Sequence, residues 1–200
     1  MSNIIGVVNY GVAGNIHSIC KALRKADANF LIVEEASQLE SADKILLPGV
    51  GSFKDAIQEL KNDRLLEGLI SAIRVKPTLG ICIGMQILSR IGFEFGETAG
   101  LGLIDAEVKP VICSGSVPHV GFNNIRLVKE SPLLNGLDGE QFYFMHSYEV
   151  VNYTDIAALT TYCNHDFVSA ISKGHIHGVQ FHPEKSRDAG IELFKNFIEL

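Results

Sequence analysis

Several signals are missing from this chain, and each absence narrows what it can be. No run approaches the ~18 consecutive apolar residues that a membrane-spanning helix needs, and the N-terminus lacks a charged region followed by a long apolar one. The chain therefore reads as a soluble, cytoplasmic protein with no membrane partner. Basic residues are scarce, 17 Lys and Arg against 23 Asp and Glu, for a net charge of −6. A nucleic-acid partner has little support from that balance. The four cysteines, Cys20, Cys82, Cys113 and Cys163, include no Cys-x-x-Cys pair, which argues against a zinc site and a disulfide framework. No metal or cofactor is expected, and three of the four thiols read as small buried hydrophobes. There is no repeat, low-complexity tract or linker.

What is present is 200 residues, 46% hydrophobic and 20% charged. That suffices for one globular domain, 1–200, with a substantial core. Asn3 to Asn9 is a continuous apolar run, the pattern of a strand covered on both faces. Ile16, Ile19, Cys20 and Leu23 recur at helical spacing. Phe30 to Val33 and Lys44 to Leu47 read as strands, and a helical region runs from Phe53 through Leu69 to Ile73. Pro77 to Ile81 is another strand, followed by a helical pattern at Ile83, Gln86, Ile87, Arg90 and Ile91. This alternation predicts an α/β fold with a mostly parallel sheet flanked by helices. The second half is strand-rich: Leu103 to Ile112, Asn124 to Val128, Phe142 to Tyr148, Ile156 to Tyr162, Val168 to Ser172 and His175 to Phe181. Short turns such as Asn135-Gly136 and Lys173-Gly174 make some of these antiparallel, so the sheet is mixed. A closing helix, Ala189 to Glu199, is expected to bury Ile191, Phe194 and Ile198.

Chemistry concentrates in Gly80-Ile81-Cys82-Ile83-Gly84-Met85-Gln86. Cys82 lies between a strand and a helix, flanked by glycines two residues away on each side. This is the Gly-x-nucleophile-x-Gly elbow with cysteine as nucleophile. The turn is sharp, and a Cβ at either glycine would crowd its neighbours. Unpaired amides and the dipole of the following helix favour a thiolate. Taken alone, the elbow is equally compatible with a buried cysteine in an ordinary turn.

A thiol needs a base. Gln180-Phe181-His182-Pro183-Glu184 follows the last strand. In extended backbone His182 and Glu184 point to the same side, so the carboxylate can orient the imidazole. The order Cys, His, Glu follows the logic of α/β hydrolases. An oxyanion hole can be built from the Ile83 N–H and a second amide, that of Val50 in Pro48-Gly49-Val50-Gly51. Gln86, one helical turn after Cys82, can hold a substrate. Read singly, the His-Pro-Glu stretch is also a surface turn and the glycine stretch a plain loop.

Together these three stretches, in this order, resemble the class I glutamine amidotransferases, and the likeness runs essentially end to end. Pro118-His119-Val120-Gly121-Phe122-Asn123 and Tyr143-Phe144-Met145-His146-Ser147-Tyr148 narrow it to the glutaminase subunits of imidazole glycerol phosphate synthase. The resemblance implies a flavodoxin-like fold and a thioester mechanism. Cys82 attacks the side-chain amide of L-glutamine, His182 moves the proton and Glu184 orients His182. It implies that Gly51, Gln86, Glu94, Ser147 and Tyr148 hold the amino-acid end of glutamine, with Glu94 facing the α-ammonium. It also implies delivery of ammonia to a separate HisF-type (β/α)₈ synthase subunit in a heterodimer, with Phe122, Asn123 and Lys185 at the interface.

The chain departs from the family pattern twice. Tyr10-Gly11-Val12-Ala13-Gly14-Asn15 carries one residue more than the usual Tyr-Gly-x-Gly-Asn, and Phe122 stands where Trp is usual. Both departures bear on the acceptor rather than on the triad. A paralogue feeding another synthase, such as one amidating a surface sugar, is the alternative. A stand-alone cysteine hydrolase and a catalytically silent binding subunit are the rivals from other classes.

Overall fold

In the computed structural model the described residues are 3–11, 16–49, 51–62 and 64–200. Val50 and most of the Tyr10–Asn15 loop therefore lie outside them. The strands are β1 (Ile4–Val8), β2 (Asn29–Val33), β3 (Lys44–Leu47), β4 (Thr78–Ile81), β5 (Ile91–Gly92), β6 (Thr98–Ala99), β7 (Glu107–Pro110), β8 (His119–Asn124), β9 (Arg126–Leu127), β10 (Gln141–His146), β11 (Tyr148–Val151), β12 (Ile156–Tyr162), β13 (His165–Lys173) and β14 (Ile176–Val179). The helices are α1 (Ile16–Lys25), α2 (Phe53–Asn62), α3 (Leu66–Ile73), α4 (Ile83–Gln86) and α5 (Arg187–Glu199).

Among the described residues, eight strands form the main sheet in the order β2-β1-β3-β4-β14-β13-β12-β9. Its first five strands are parallel, and β13, β12 and β9 continue it antiparallel. This is the mixed α/β sheet that the strand-helix alternation predicts. Of the parallel strands, β1, β3, β4 and β14 are buried along most of their length, so their sequences run apolar without alternation, whereas the edge strand β2 is buried only at Val33. The crossovers from β1 to β2 and from β3 to β4 step in opposite directions. With right-handed crossovers, their helices fall on opposite faces of the sheet. Accordingly α1 packs with α5, and α2 with α3.

The carboxyl ends of β3, β4 and β14 lie side by side, Leu47 registered with Gly80 and Val179 with Ile81. Crevices outside strand carboxyl ends are where open α/β sheets bind ligands. Lys44, almost fully buried, closes the opposite end of the molecule. Its ammonium donates to the carbonyls of Phe197 and Ile198, offering a cation to the last turn of α5.

Four expectations about the fold are revised. Of the three thiols read as buried, Cys20 is, but Cys113 is half-buried and Cys163 exposed. The helical pattern after the elbow stops after one turn, at Gln86, because a neighbouring loop captures the carbonyls a longer helix would use. Leu101 N–H donates to Ile87 O, Leu103 and Ile104 N–H to Leu88 O, and Gly102 N–H to Ser89 O. The region 53–73 is two helices rather than one. In α5 the fully buried side chains are Leu193, Phe194 and Phe197, whereas Ile191 and Ile198 are only partly covered. The helix rolls its apolar face by one position relative to the predicted one.

Candidate active site

Cys82 is held in a conformation that a side chain adopts only under constraint, φ 51° and ψ −110°. Such backbone costs on the order of 1–3 kcal/mol and persists where its surroundings dictate it. Here they do. Cys82 N–H donates to Val179 O at 2.7 Å, and Cys82 O accepts from Met85 and Gln86 N–H at 3.0 Å each. The glycines allow close backbone approach. A Cβ on Gly84 would sit 2.1 Å from Leu47 O, and one on Gly80 2.6 Å from Gly84 O. One on Gly49 would sit 2.0 Å from Ile81 O and 2.4 Å from Ile83 N, so the Pro48-Gly49 backbone lies directly against the elbow. The Tyr10 hydroxyl donates to Pro48 O and fixes that segment. As first residue of α4, Ile83 has no intrahelical acceptor for its N–H. With only one turn behind it, α4 contributes little dipole, so thiolate support has to come from side chains.

His182 and Glu184 supply it. His182 Nδ1 lies 2.8 Å from Glu184 Oε1, and both side chains are 0% exposed. They do not meet across extended backbone as the sequence suggests. Glu184 sits in a 3₁₀ turn, Pro183–Lys185, which His182 caps. Ser186 Oγ donates to His182 O and accepts from Tyr143 N–H, and His182 N–H donates to Tyr143 O. Burial pulls the His182 imidazolium down, but the Cys82 sulfur and the Glu184 carboxylate outweigh it and raise His182 to about 10. Nε2 nevertheless has no hydrogen-bond partner among the described residues. The Cys82 sulfur thus favours the imidazolium through a contact too loose to count as a formed hydrogen bond, of the kind that tightens when substrate arrives.

A cleft of about 210 Å³ opens over these groups. It is lined by Gly49, Gly51, Cys82, Ile83, Gln86, Glu94, Pro118, Met145, His146, Ser147, Tyr148 and His182. The structure therefore brings Cys82, Ile83, Gly51, Gln86, Glu94, Ser147, Tyr148 and His182 to one cleft, with Glu184 directly behind His182. Gly51 has φ 100°, a conformation that suits glycine. Glu94 is half-buried; burial pushes its carboxyl up, while Oε2 accepts from the Phe53 N–H at 2.7 Å. Gln86 is almost fully buried. Its Nε2 donates to Tyr148 O and Gln180 Oε1, and its Oε1 has no partner among the described residues. The expected second oxyanion donor, Val50, lies outside the described residues. Among the described residues no His, Cys, Asp and Glu cluster could hold a metal.

Sequence reasoning missed Tyr10, His119, His146 and Gln180. His146 Nδ1–H donates to Tyr148 O at 2.9 Å, leaving Nε2 to accept from His119 Nδ1 at 3.2 Å. Burial holds His146 low, at about 4, and does the same to His177. The sign follows from proton uptake. The unfolded chain binds protons at these histidines near pH 6.5, the folded one near 4. The stability they permit is complete above about 6.5 and lost as pH falls toward 4. At pH 5 the cost is about 2 kcal/mol each, partly offset by His182, whose raised pKa favours the folded state more at low pH. Urea unfolding at pH 7.5 and 5 should therefore show clearly lower stability at pH 5, and equal stability would contradict this.

Phe122, Asn123 and Lys185 lie outside the cleft. β8 and β10 form a separate antiparallel ribbon among the described residues. Phe122 is 41% exposed and Val120 and Met145 are exposed beside it. The Phe122 ring packs edge-on to Tyr143, with the Arg187 guanidinium 4.8 Å over Phe122 and the Lys185 ammonium 5.6 Å over Tyr143. Asn123 alternates to the opposite side, where its Nδ2 donates to Thr161 O.

The model of the family "glutamine amidotransferase class-I" matches residues 7–200. The chain belongs to the class I glutamine amidotransferases. It is 41% identical over 202 residues to imidazole glycerol phosphate synthase subunit HisH 1 of Campylobacter jejuni strain RM1221, covering 98% of this chain and 100% of that one. It is 39% identical to the HisH subunit of Methanothermobacter thermautotrophicus, covering 98% of each. Among solved structures, PurLQS from Thermotoga maritima superposes with a TM-score of 0.79 at 17% identity, covering 100% of this chain and 99% of that one. That likeness concerns the fold, an α/β fold as the strand-helix alternation predicts and the family resemblance implies. This chain is a glutamine amidotransferase, and no helix among its described residues is long and apolar enough to cross a membrane.

Proposed function

We propose that this chain is the glutaminase subunit of an imidazole glycerol phosphate synthase, a single-domain cytoplasmic protein that supplies ammonia to a HisF-type (β/α)₈ partner for histidine biosynthesis. The observation that carries the reading is the joint presence of full-length likeness to HisH subunits and a buried Cys82-His182-Glu184 set opening on a small cleft that Gln86, Glu94 and Ser147 also line.

The chemistry follows from the geometry. The Cys82 thiolate attacks the carboxamide carbon of glutamine, and the oxygen's negative charge develops toward the Ile83 N–H; Val50, outside the described residues, is the candidate for a second donor. When the tetrahedral species collapses, the C–N bond breaks and His182 gives its proton to departing ammonia. Water, deprotonated by His182, then attacks the thioester and frees glutamate. Glu184 keeps the imidazole oriented and stabilises its charged form. Glu94 takes the α-ammonium of the substrate, Gln86 Oε1 offers an acceptor, and Gly51, Ser147 and Tyr148 line the rest of the amino-acid end.

The ribbon face beside the cleft is the docking surface in this reading. Phe122 is its aromatic anchor, flanked by Lys185 and Arg187, a composition common in interface hot spots. Asn123, tied to Thr161, supports the ribbon rather than the partner contact. Lys185 ends the catalytic turn and its N–H donates to His182 O, so a contact there is transmitted to His182.

The test is a glutaminase assay of the purified chain, alone and titrated with a HisF-type subunit and its acceptor ligand. Slow hydrolysis alone and saturable stimulation by the partner are expected, with Phe122→Ala or Lys185→Ala raising the half-stimulating concentration roughly tenfold. Full activity alone, with no response to the partner, would contradict a dependent subunit.

A further inference from the structure

One buried side chain outside the triad touches the reacting atom. Gln180 has no exposed surface, and its Nε2 lies 3.5 Å from Cys82 Sγ. The direction of that amide is fixed by its neighbours. Gln86 lies between the Tyr148 carbonyl and the Gln180 amide, 3.0 Å from each. A backbone carbonyl can only accept, so the Gln86 atom facing it is the –NH₂. The Gln180 atom facing that same –NH₂ must in turn be Oε1. Gln180 is left with Nε2, a donor only, turned toward the sulfur. The arrangement is anchored at both ends. Gln180 N–H donates to Ser169 O of β13, and Tyr148 O also accepts from His146. Gln180 and His182 flank the buried Phe181, so one strand end delivers both groups to Cys82.

We propose that Gln180 is a catalytic residue of the glutaminase, donating a hydrogen bond from Nε2 to the Cys82 sulfur that steadies and aims the thiolate. This rests on the assignment of Cys82 as nucleophile. Gln180 transfers no proton. The sulfur lone pair forms the bond to the carboxamide carbon while the carbonyl π pair moves to oxygen. The C–N bond then breaks, and ammonia leaves with a proton from His182. Gln180's bond weakens as the sulfur loses its charge in the thioester and is restored when water releases glutamate. Being a neutral donor, the amide supports the thiolate without neutralising it as a second cation would. The Gln86 amide thereby acquires a second role, that of a positioning residue that keeps Gln180 from flipping its oxygen toward the sulfur.

The test uses Gln180→Met, which removes the donor at nearly constant volume, assayed in complex with the synthase partner and its ligand. Without the donor a smaller fraction of Cys82 is held as correctly aimed thiolate, and a bond of this kind to a charged group predicts a fall in kcat on the order of ten- to a hundredfold, with KM changed less than about threefold. Alkylation of Cys82 by iodoacetamide, followed by mass spectrometry without glutamine, should shift its pH dependence upward. Gln180→Glu keeps the side-chain shape and serves if Gln180→Met folds poorly. A carboxylate cannot donate but a carboxylic acid can, so the ratio of its kcat to wild type should rise as pH is lowered. A kcat within twofold of wild type in Gln180→Met, an unmoved alkylation curve, or a pH-independent ratio for Gln180→Glu would overturn the proposal. Absence of glutaminase activity in the wild-type complex would instead sink the functional reading, and the alkylation curve would still decide the Gln180 contact.

Discussion

His182→Asn is expected to reduce glutamine hydrolysis by roughly 10⁴-fold or more, to the level of Cys82→Ala, because nucleophile and base act as a unit. Asparagine can still reach Glu184, so the turn is retained, but it carries no group that takes and returns a proton. The double variant should lose nothing further, since removing either partner already stops thioester chemistry. Glu184→Gln should be milder than His182→Asn yet well below wild type. It keeps the shape of a fully buried side chain but removes the anion that favours imidazolium. Steady-state kinetics of the four variants in the partner complex check this ordering. Activity of Glu184→Gln as low as that of Cys82→Ala would show that Glu184 does more than orient.

The second large effect is expected at Gly84→Ala. Gly84 does not have an unusual φ; its requirement is space. The added Cβ would lie 2.1 Å from Leu47 O and 2.8 Å from Leu47 C. Those are backbone atoms of a central strand, which cannot swing aside as a side-chain tip can. The elbow must move away from the end of β3, and with it the approach of Gly49 to the Ile83 amide. Displacements of about 1 Å at a reacting centre cost on the order of a hundredfold, so kcat should fall at least that far. Overpacking should also lower stability by about 1–3 kcal/mol. Thermal unfolding and kinetics of Gly84→Ala measure both. Wild-type kcat in a normally folded variant would show that the glycine is not needed for the close approach.

The elbow was readable because its chemistry is local: a sharp turn, two glycines and a nucleophile have fixed spacing. The parallel strands were readable for a similar reason, since burial on both faces leaves a continuous apolar run. What escaped depended on distant partners. The length of α4 is set by Leu101 to Ile104, whose amides capture the carbonyls of Ile87 to Ser89. No helical periodicity in Ile83 to Ile91 carries that information. The rotation of α5 reflects packing of Leu193, Phe194 and Phe197 that a spacing pattern leaves free by one position. The two-residue spacing of His182 and Glu184 suits a contact in extended backbone and in a 3₁₀ turn alike, and Pro183 starts the turn. Gln180 was legible in principle, standing two residues before His182 on the same strand end, but only the Gln86 contact shows which way its amide faces.

Covalent labelling tests most directly whether Cys82 is the nucleophile. The partner complex is treated with a glutamine-analogue electrophile, and the adduct is mapped by mass spectrometry. Modification should fall on Cys82, be prevented by excess glutamine, and spare Cys20, Cys113 and Cys163, although Cys163 is exposed and Cys82 is buried. Labelling governed by exposure, with Cys163 modified first and glutamine giving no protection, would contradict that role.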